Sequence, residues 1–398
     1  MADKMRDQLS PFIADGPQVI ELKLVRDASE VEDESTTFKA EMCHQVYGEK
    51  EVIFGYKDLK IKLFYSACRL TTYIGIEYSS KVTPDLCDGV VADDVEKPLL
   101  EIIPKGYLKD LGHFKAAIQE DVTFKPFGSL IDRLELSSGQ TFEYYSCDTH
   151  EPNFLPYHER LQAFLMWFVD GASFIDTSDP RWHFFLVFEK YNPGDGVRYA
   201  IAGYGTVYEY YAYPEKIRPR ISQVLVLPPF QKMGLGRHLV ESIYNHYLGS
   251  SNVLDITVED PSDEFEALMD VINCRKCITL PAFSKEKVKQ GFSPEMVEEA
   301  RKSFLMHKDH VRRSYEILRL LFTNRSDKEE YRQYRIEIKR RLYAPFKMNQ
   351  KRGGAARRAG ISTDETQMTQ EQQVELIKQM YKEIEECYDA VIQRLKRS

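Results

Sequence analysis

The chain has 398 residues, of which 43% are apolar and 12% aromatic, and it carries a formal net charge of −8. This is the composition of an ordinary soluble protein, long enough to bury a large core in two or three domains. No run of 18 apolar residues occurs, the amino terminus lacks the apolar core of a secretory signal, and the seven cysteines are too scattered for a disulfide framework. We therefore expect an intracellular protein with reduced thiols and no membrane partner.

Alternating apolar residues predict a sheet in the amino-terminal part of the chain. The pattern occurs in four segments, at 19–25, 53–56, 59–65 and 73–78. Such alternation is typical of half-buried strands, and a helix is predicted near residues 114–120. These elements make up a predicted amino-terminal α/β domain at residues 1–138.

The next part of the chain predicts a second α/β domain at residues 139–282. Apolar residues at helical spacing indicate a helix at 158–172. Two strands follow at 182–190 and 200–208, and a third precedes a glycine-containing turn. The turn leads into a helix at 237–247 and a strand at 253–258. The order is helix, strand, strand, strand, helix, strand.

Beyond residue 282 the patterns are helical. A helical domain is predicted at residues 283–348, in which Ser326 and Glu329 form a capping box. A basic linker is predicted at 349–363 and a final helix at 364–398. That helix repeats apolar residues at 3,4 spacing, and this seam packs either on the chain's own helices or in an intermolecular coiled coil.

Charge is unevenly distributed. Acidic residues cluster at 30–34, 85–96 and 259–266, which favours a cationic partner for the main body of the chain. Residues 339–358 contain eight Lys or Arg and no acid. Because this stretch has glycines and few aromatics, it indicates a linker or a localisation signal and not a nucleic-acid groove.

The most informative motif is SQVLVLPPFQKMGLGRHL at residues 222–239. An apolar strand must end at Pro228 and Pro229, which cannot donate to a sheet. Gly234 and Gly236 then allow backbone N–H groups to face an anion at the start of a helix. The alternative is a loop whose glycines only cap the turn. The Q-x-x-G-x-G spacing resembles the acetyl-coenzyme A signature of GCN5-related N-acetyltransferases, and no Walker Lys-Ser/Thr pair follows it.

A second motif, LDITVEDPS at residues 254–262, places carboxylates at the end of a strand. Acetyl transfer to lysine needs a neutral amine, whose ordinary pKa is about 10.4, so a base must remove its proton. Strand alternation points Glu259 and Asp260 to opposite sides. The alternative is that they cap the following helix. Because no Cys/His pair accompanies these motifs, direct attack of the amine is favoured over an acyl-enzyme.

Long strings of this sequence resemble the catalytic subunits of type B histone acetyltransferases. They include VADDVE, VTFKPFGSL, YHERLQAFLMWFVDGASFID, RWHFFLVFEKYN, RPRISQVLVLPPFQKMGLG, LDITVEDPS and YEILRLL. The resemblance implies an α/β GCN5-related N-acetyltransferase fold, a mixed central sheet flanked by helices, with an amino-terminal α/β domain and a carboxy-terminal helical domain. It implies acetyl transfer from acetyl-CoA, without a metal, to lysines in the tail of free, newly synthesised histone H-four.

The resemblance also assigns roles to individual residues. It makes Glu259 the general base, with Asp260 beside it. Asp170 stands where the family more often has glutamate, and it would either supplement proton removal or bind the tail. It places the pantetheine arm and pyrophosphate of the cofactor on Val224, Leu225, Val226, Gln231, Lys232, Met233, Gly234, Leu235, Gly236 and Arg237, with Ser262 a weaker contact. It places the histone tail near Lys50, Glu51, Val52, Tyr208, Glu209 and Tyr210.

Two other functions compete with this one. A histone chaperone or scaffold with weak or no catalysis would use the acidic surfaces alone, and a related acetyltransferase would act on another amine. Intact glycines and Glu259 argue against the first, and the additional amino-terminal domain argues against the second. The resemblance further implies a WD-repeat histone-binding partner, a location in cytoplasm and nucleus, and no direct contact with nucleic acid. The lone pair Cys274 and Cys277 predicts core packing over zinc or redox use.

Overall fold

A computed structural model of the protein describes residues 9–83, 89–194, 196–358 and 368–397, with side chains omitted at 347–358. These residues divide into two compact units. Unit 1 comprises Met1–Tyr210 and Arg220–His246, and unit 2 comprises Tyr211–Pro219 and Tyr247–Ser398. Part of the acidic cluster predicted at 85–96 lies outside the described residues.

The amino-terminal part of unit 1 is a four-stranded sheet with short flanking elements. Strand β2 pairs in parallel with β6, which is antiparallel to β7, and β3 lies on the other side of β2. The elements up to residue 119 are β1 (Ile13–Asp15), α1 (Gly16–Val19), β2 (Ile20–Val25), β3 (Phe38–Lys39), α2 (His44–Tyr47), β4 (Val52–Phe54), β5 (Tyr56–Lys57), β6 (Lys60–Ser66), β7 (Thr72–Glu77), β8 (Ser80–Lys81), α3 (Glu96–Ile102) and α4 (Leu111–Gln119). The predicted strands and the helix near residue 114 are confirmed.

The rest of unit 1 contains a larger sheet in which β9 to β13 follow one another in chain order. Pairing is antiparallel from β9 through β12. The elements are β9 (Ser129–Glu135), β10 (Thr141–Asp148), α5 (Phe154–Gln162), α6 (Leu165–Phe168), β11 (Trp182–Tyr191), β12 (Arg198–Ala212), β13 (Lys216–Val226) and α7 (Leu235–Leu248). The tip of the β12–β13 hairpin belongs to unit 2.

Helix α5 buries one face because its large residues recur at i, i+3, i+4 and i+7. Phe154 and His158 pack against Phe184 of β11, with ring centroids 4.8 and 4.7 Å away. The helix predicted at 158–172 is instead two helices, α5 and α6, because the amides of Phe164, Met166 and Trp167 donate to carbonyls three residues back, as in a tighter 3₁₀ turn. A periodic apolar stripe does not by itself reveal such a break.

The two sheets of unit 1 are joined through the core. The amide of Ile201 in β12 donates to the carbonyl of Ala67 (3.0 Å), and the ring of Tyr65 lies 4.4 Å from that of Phe164. The predicted boundary at residue 138 therefore falls within one compact unit.

Unit 2 is mainly helical. Its elements are β14 (Thr257–Val258), α8 (Asp263–Ile278), α9 (Lys285–Gln290), α10 (Pro294–Phe304), α11 (Lys308–Phe322), α12 (Lys328–Arg358) and α13 (Gln370–Lys396). Its core contains buried side chains from α8, α11, α12 and α13. Helix α8 therefore belongs to the helical unit, although its residues were predicted to lie in the acetyltransferase core.

The carboxy-terminal segment differs from its prediction in two respects. Helix α12 continues through Arg358, into the predicted linker, because good helix formers (Lys, Met, Gln, Arg and Ala) outnumber Asn349, Gly353 and Gly354 there. Residues 359–367 lie outside the described part. The side chain of Asp327, and not Ser326, accepts hydrogen bonds from the first-turn amides of α12, while a capping box occurs at Thr369 and Gln372 of α13.

The heptad seam of α13 packs on the chain's own helices. Ile377, Tyr381, Tyr388 and Val391 are buried in the core of unit 2. The hydroxyl of Tyr388 donates to Glu316 of α11 (2.9 Å), a buried carboxylate that also pairs with Arg312 and Arg341. The seam was predicted to pack either on the chain's own helices or in an intermolecular coiled coil, and the structure shows the first arrangement.

Candidate active site

At the end of β13, one face of the strand is buried, and the turn that follows is held by a side-chain hydrogen bond. Leu225 and Leu227 are buried, whereas Val224 and Val226 are partly exposed. A Cβ on Gly203 of β12 would lie 2.6 Å from the carbonyl oxygen of Leu225, so glycine permits this close approach of the strands. The side-chain amide of Gln231 donates to the Val226 carbonyl (3.1 Å) across the turn at Pro228–Phe230. Gln231 thus holds the turn against the end of β13.

The turn leads directly into the amino end of α7. The backbone of Lys232 has φ 62° and that of Gly234 has φ 86°, both in the left-handed region. The first bond of the helix runs from the His238 amide to the Gly234 carbonyl (3.1 Å). The amides of residues 235–237 therefore precede the helical ladder. Such amides at a helix amino end, beside left-handed residues, bind anionic groups such as phosphate.

Helix α7 begins two residues before the predicted start at 237, so Gly236 lies in its first turn. A Cβ on Gly234 would meet no heavy atom within 4 Å, so φ and not space requires glycine there. Lys232 is exposed, Met233 is half-buried, Leu235 is buried, and Arg237 is exposed with its guanidinium 3.0 Å from Glu241. These backbone and cationic groups fit a pyrophosphate.

In unit 2, the segment that bears Glu259 is held by backbone and ionic contacts. The Ile256 amide donates to Leu305 (2.8 Å), and the Leu254 amide donates to Ile217 (2.9 Å). Buried Asp255 forms a bidentate pair with Arg218 (2.5 and 3.1 Å). These contacts fix β14, so a carboxylate immediately after it has a defined position.

Glu259 and Asp260 are both exposed, and Asp260 has φ 30°. The Ser262 hydroxyl accepts from the Phe265 amide (3.2 Å) and caps α8. The capping role considered for the two acids therefore belongs to Ser262, and its hydroxyl is engaged there.

Two residues predicted from different parts of the chain, Glu51 and Asp170, are brought together by His44. The Nε2 atom of His44 lies 3.0 Å from Asp170 Oδ1, and its Nδ1 atom lies 3.6 Å from Glu51 Oε1. The same Glu51 oxygen accepts from the backbone amides of Cys43 and His44. The sequence analysis missed His44 because a single histidine before a four-residue helix has no distinguishing pattern.

Lys50 and Val52 line a surface cavity of about 560 Å³. Its wall also contains carboxylates of Glu49, Asp93 and Asp94. Asp93 accepts from the Phe54 amide (2.6 Å), which fixes this part of the acidic run beside β4. The cavity is therefore mainly acidic and suits a cationic ligand.

Tyr208 and Tyr210 of β12 lie 4.6 Å apart and already stack with the chain's own cations. Arg181 lies 4.8 Å from the Tyr208 ring, and Arg220 lies 4.6 Å from the Tyr210 ring. The Tyr208 hydroxyl donates to Asp179 (2.8 Å), and hydrogen bonds from Arg181 and Tyr208 hold the pKa of Asp179 below its ordinary value. One face of each ring is thus occupied, which reduces the surface available for a cation–π contact with a peptide.

Glu209 carries a contact of its own. Its carboxylate lies 3.3 Å from Nε2 of His183 in β11. The charge of Glu209 is therefore partly directed at a neighbouring histidine.

The Cys274 and Cys277 pair is buried in the core of unit 2. Burial raises the pKa of Cys277 to about 12 and that of Cys274 above its ordinary value, which disfavours the thiolate that metal binding and redox exchange require. The core role predicted for the pair is confirmed. Within the described residues, no group of three or more His, Cys, Asp or Glu side chains could hold a metal ion, and no helix is long and apolar enough to cross a membrane.

The strand, turn and helix at residues 216–248 define an acetyltransferase of the GCN5-related class, and family models support this class. The acetyltransferase (GNAT) family model matches residues 140–264. The model of the histone acetyl transferase HAT1 amino terminus matches residues 12–170, and that of the carboxy-terminal part of type B catalytic subunits matches residues 270–320.

Similarity to known proteins extends over nearly the whole chain. The human histone acetyltransferase type B catalytic subunit is 46% identical over 98% of this chain and 94% of its own length. The rat subunit is 44% identical with the same coverage, and a Dictyostelium discoideum subunit is 33% identical over 80% of this chain. A solved aminoglycoside acetyltransferase from a soil metagenome covers 32% of this chain with 17% identity and a TM-score of 0.23, too slight a similarity to bear on function. The chain belongs to the family of type B histone acetyltransferase catalytic subunits and is a protein-lysine acetyltransferase.

Proposed function

We propose that this protein transfers the acetyl group of acetyl-CoA to lysines in the amino-terminal tail of free, newly synthesised histone H-four. The observation that carries the proposal is the 46% identity, over 98% of the chain, to a subunit named as a type B histone acetyltransferase. Acetyl-CoA is the donor that membership of the acetyltransferase family implies.

The cofactor would bind along β13 and at the start of α7. Residues 235–237 offer backbone amides to the pyrophosphate, and exposed Lys232 and Arg237 add positive charge. The backbone of Val224 to Val226 would pair with the pantetheine arm in the manner of an added strand. In this arrangement the Val226 carbonyl already accepts from Gln231, so pairing falls mainly on residues 224 and 225.

The reaction would proceed by direct attack. Glu259 removes a proton from the substrate ammonium, and the neutral amine then attacks the thioester carbonyl carbon. The new C–N bond would form, the C–S bond would break, and the attacking nitrogen would lose its second proton to coenzyme A, which leaves as a thiolate and takes that proton up. A backbone N–H would stabilise the oxyanion that develops at the carbonyl oxygen. The predicted strand alternation does not reach Asp260, because β14 ends at Val258 and Asp260 has φ 30°; this mechanism gives Asp260 no direct role.

Recognition of the tail would rest on negative charge. The cavity beside Lys50 and Val52 holds three carboxylates, and Glu51 and Asp170 lie around His44. The lysines of a lysine- and glycine-rich peptide are attracted to such a surface, and its glycines let the peptide backbone approach the surface closely. Tyr208, Glu209 and Tyr210 would form another part of the groove.

The wider setting rests on the resemblance alone. A WD-repeat histone-binding subunit would present the histone together with its dimer partner, and the enzyme would act in cytoplasm and nucleus to support chromatin assembly. Direct contact with nucleic acid is not part of this proposal.

The proposal is tested by incubating the protein with acetyl-CoA and a mixture of free core histones, and mapping the acetylated lysines by mass spectrometry. We expect acetylation in the amino-terminal tail of histone H-four, at a rate far above that on the other histones and on assembled nucleosomes. Glu259→Gln protein, which keeps the same shape without a carboxylate, is the matched control. Equal labelling of all histones would reject the proposed specificity.

A further inference from the structure

The carboxylates of Glu51 and Asp170 are held very differently. Glu51 is fixed by its own loop, since one of its oxygens accepts from the amides of Cys43 and His44. Asp170 follows α6 and its side chain is 79% exposed. Its carboxylate lies 3.0 Å from Nε2 of His44, so the imidazole determines where this exposed acid points.

The segment that carries His44 is itself fastened to the segment that carries Asp170. The amides of Glu41 and Met42 donate to the Trp167 carbonyl (3.0 and 3.2 Å). The side-chain amide of Gln45 donates to the Ala172 carbonyl (2.7 Å). These bonds lie on both sides of the His44–Asp170 contact, so the backbone geometry does not depend on the imidazole.

We propose that His44 is a positioning residue of the peptide-binding site, which orients the exposed carboxylate of Asp170 toward a cationic group of the substrate. This inference rests on the proposed function. Nε2 of the imidazole lies within hydrogen-bond distance of Asp170 Oδ1 (3.0 Å), whereas Nδ1 lies 3.6 Å from Glu51 Oε1, so the contact that orients a side chain is the one to Asp170. The substrate's ammonium group then meets a prearranged carboxylate, which lowers the cost of ordering that side chain on binding.

Kinetics of the purified enzyme test the proposal with His44→Ala, His44→Gln and Asp170→Asn. A glutamine amide nitrogen can replace Nε2 of the imidazole, so His44→Gln retains the contact with Asp170. We expect His44→Ala to lower kcat/KM for a histone H-four tail peptide about tenfold, mainly by raising KM. A loss of this size is usual when one of two contacting residues is removed. His44→Gln should recover most of this loss, and the KM for acetyl-CoA should stay unchanged in both.

A double variant separates positioning from a structural role. If His44 acts through Asp170, then His44→Ala combined with Asp170→Asn is no worse than Asp170→Asn alone, whereas independent effects would multiply. His113→Ala is a matched control, because its imidazole also lies 3.0 Å from a carboxylate, that of Asp110, at an exposed place on α4. This control should leave all constants unchanged.

The outcomes are distinguishable. Multiplying effects, or a His44→Gln enzyme as weak as His44→Ala, would overturn the inference while wild-type acetylation of the peptide continues. An inactive wild type would instead overturn the proposed function. Should His44→Ala fail to fold, the comparison of His44→Gln with Asp170→Asn still decides, since Asp170 is exposed and its replacement leaves the packing intact: equal loss in the two would contradict the role of the Nε2 contact.

Discussion

The stability of unit 1 should depend on pH through His158, a histidine buried in the core. The side chain has no exposed surface, and its ring lies 4.7 Å from that of Phe184. Burial lowers the pKa of His158 from 6.5 to about 4. As pH falls below 6.5, His158 binds a proton in the unfolded chain but not in the folded chain. The free energy of unfolding therefore decreases with falling pH. The decrease ends near pH 4, where the folded histidine also becomes protonated.

The size of this effect follows from the two pKa values. At 1.36 kcal/mol for each pH unit, the complete loss is about 3 kcal/mol. At pH 5 the unfolded histidine is almost fully protonated and the folded one about one-tenth, so about 2 kcal/mol is lost between pH 7 and pH 5. Replacing His158 with Phe keeps an aromatic ring in the core and removes the titration.

The measurement is urea unfolding of wild type and His158→Phe at pH 5, 6 and 7. Tryptophan fluorescence reports on the right part of the molecule, because both tryptophans, Trp167 and Trp182, belong to unit 1. The free energy of unfolding should fall about 2 kcal/mol more for wild type than for the variant. His150→Gln, at a side chain that is 76% exposed, should behave as wild type. Parallel pH profiles of wild type and His158→Phe would refute the reasoning.

Four further outcomes are expected. Glu259→Gln should lower the acetyl-transfer rate about 10²- to 10⁴-fold with unchanged coenzyme A affinity, and Asp260→Asn should lower it much less; wild-type turnover of Glu259→Gln at pH 7.5 would contradict the base assignment. Gly234→Ala should cost about 1 kcal/mol because φ is 86°, and calorimetry should show weaker coenzyme A binding; full affinity would argue against the phosphate site. The KM for tail peptide should rise with salt while that for acetyl-CoA changes less, because attraction between exposed charges is screened beyond about 8 Å at physiological salt. Glu209→Lys should raise the peptide KM alone. A KM for peptide that does not change with salt would assign recognition to apolar and backbone contacts. Val391→Ala should destabilise unit 2 by about 2 kcal/mol, as followed by circular dichroism, without changing the molar mass in light scattering; a change in mass would indicate that α13 mediates association.

Local sequence was sufficient wherever a structure depends on neighbouring residues. The strand at 216–226, its end at Pro228 and the helix that follows Gly234 were predicted correctly in kind, because prolines, glycines and apolar periodicity act within a few residues. The predicted start of that helix, at 237, lies two residues after the observed one, because a glycine at 236 is compatible with either side of a helix boundary. The capping residue of α12 could not be predicted for a similar reason. Ser326 and Asp327 are both good capping residues, so local sequence does not choose between them, and Asp327 caps the helix.

Contacts between distant residues were decided by the tertiary structure. The seam of α13 was compatible with a partner or with the chain's own helices, and the buried Tyr388–Glu316 bond shows which surface it covers. The sequence placed Glu51 and Asp170 near a peptide by resemblance, but no pattern linked either one to His44. Hydrophobic periodicity and turn chemistry are encoded locally and so can be read from the chain. The contact of the His44 imidazole with Asp170 exists only after folding has brought residues 44–51 and residue 170 together.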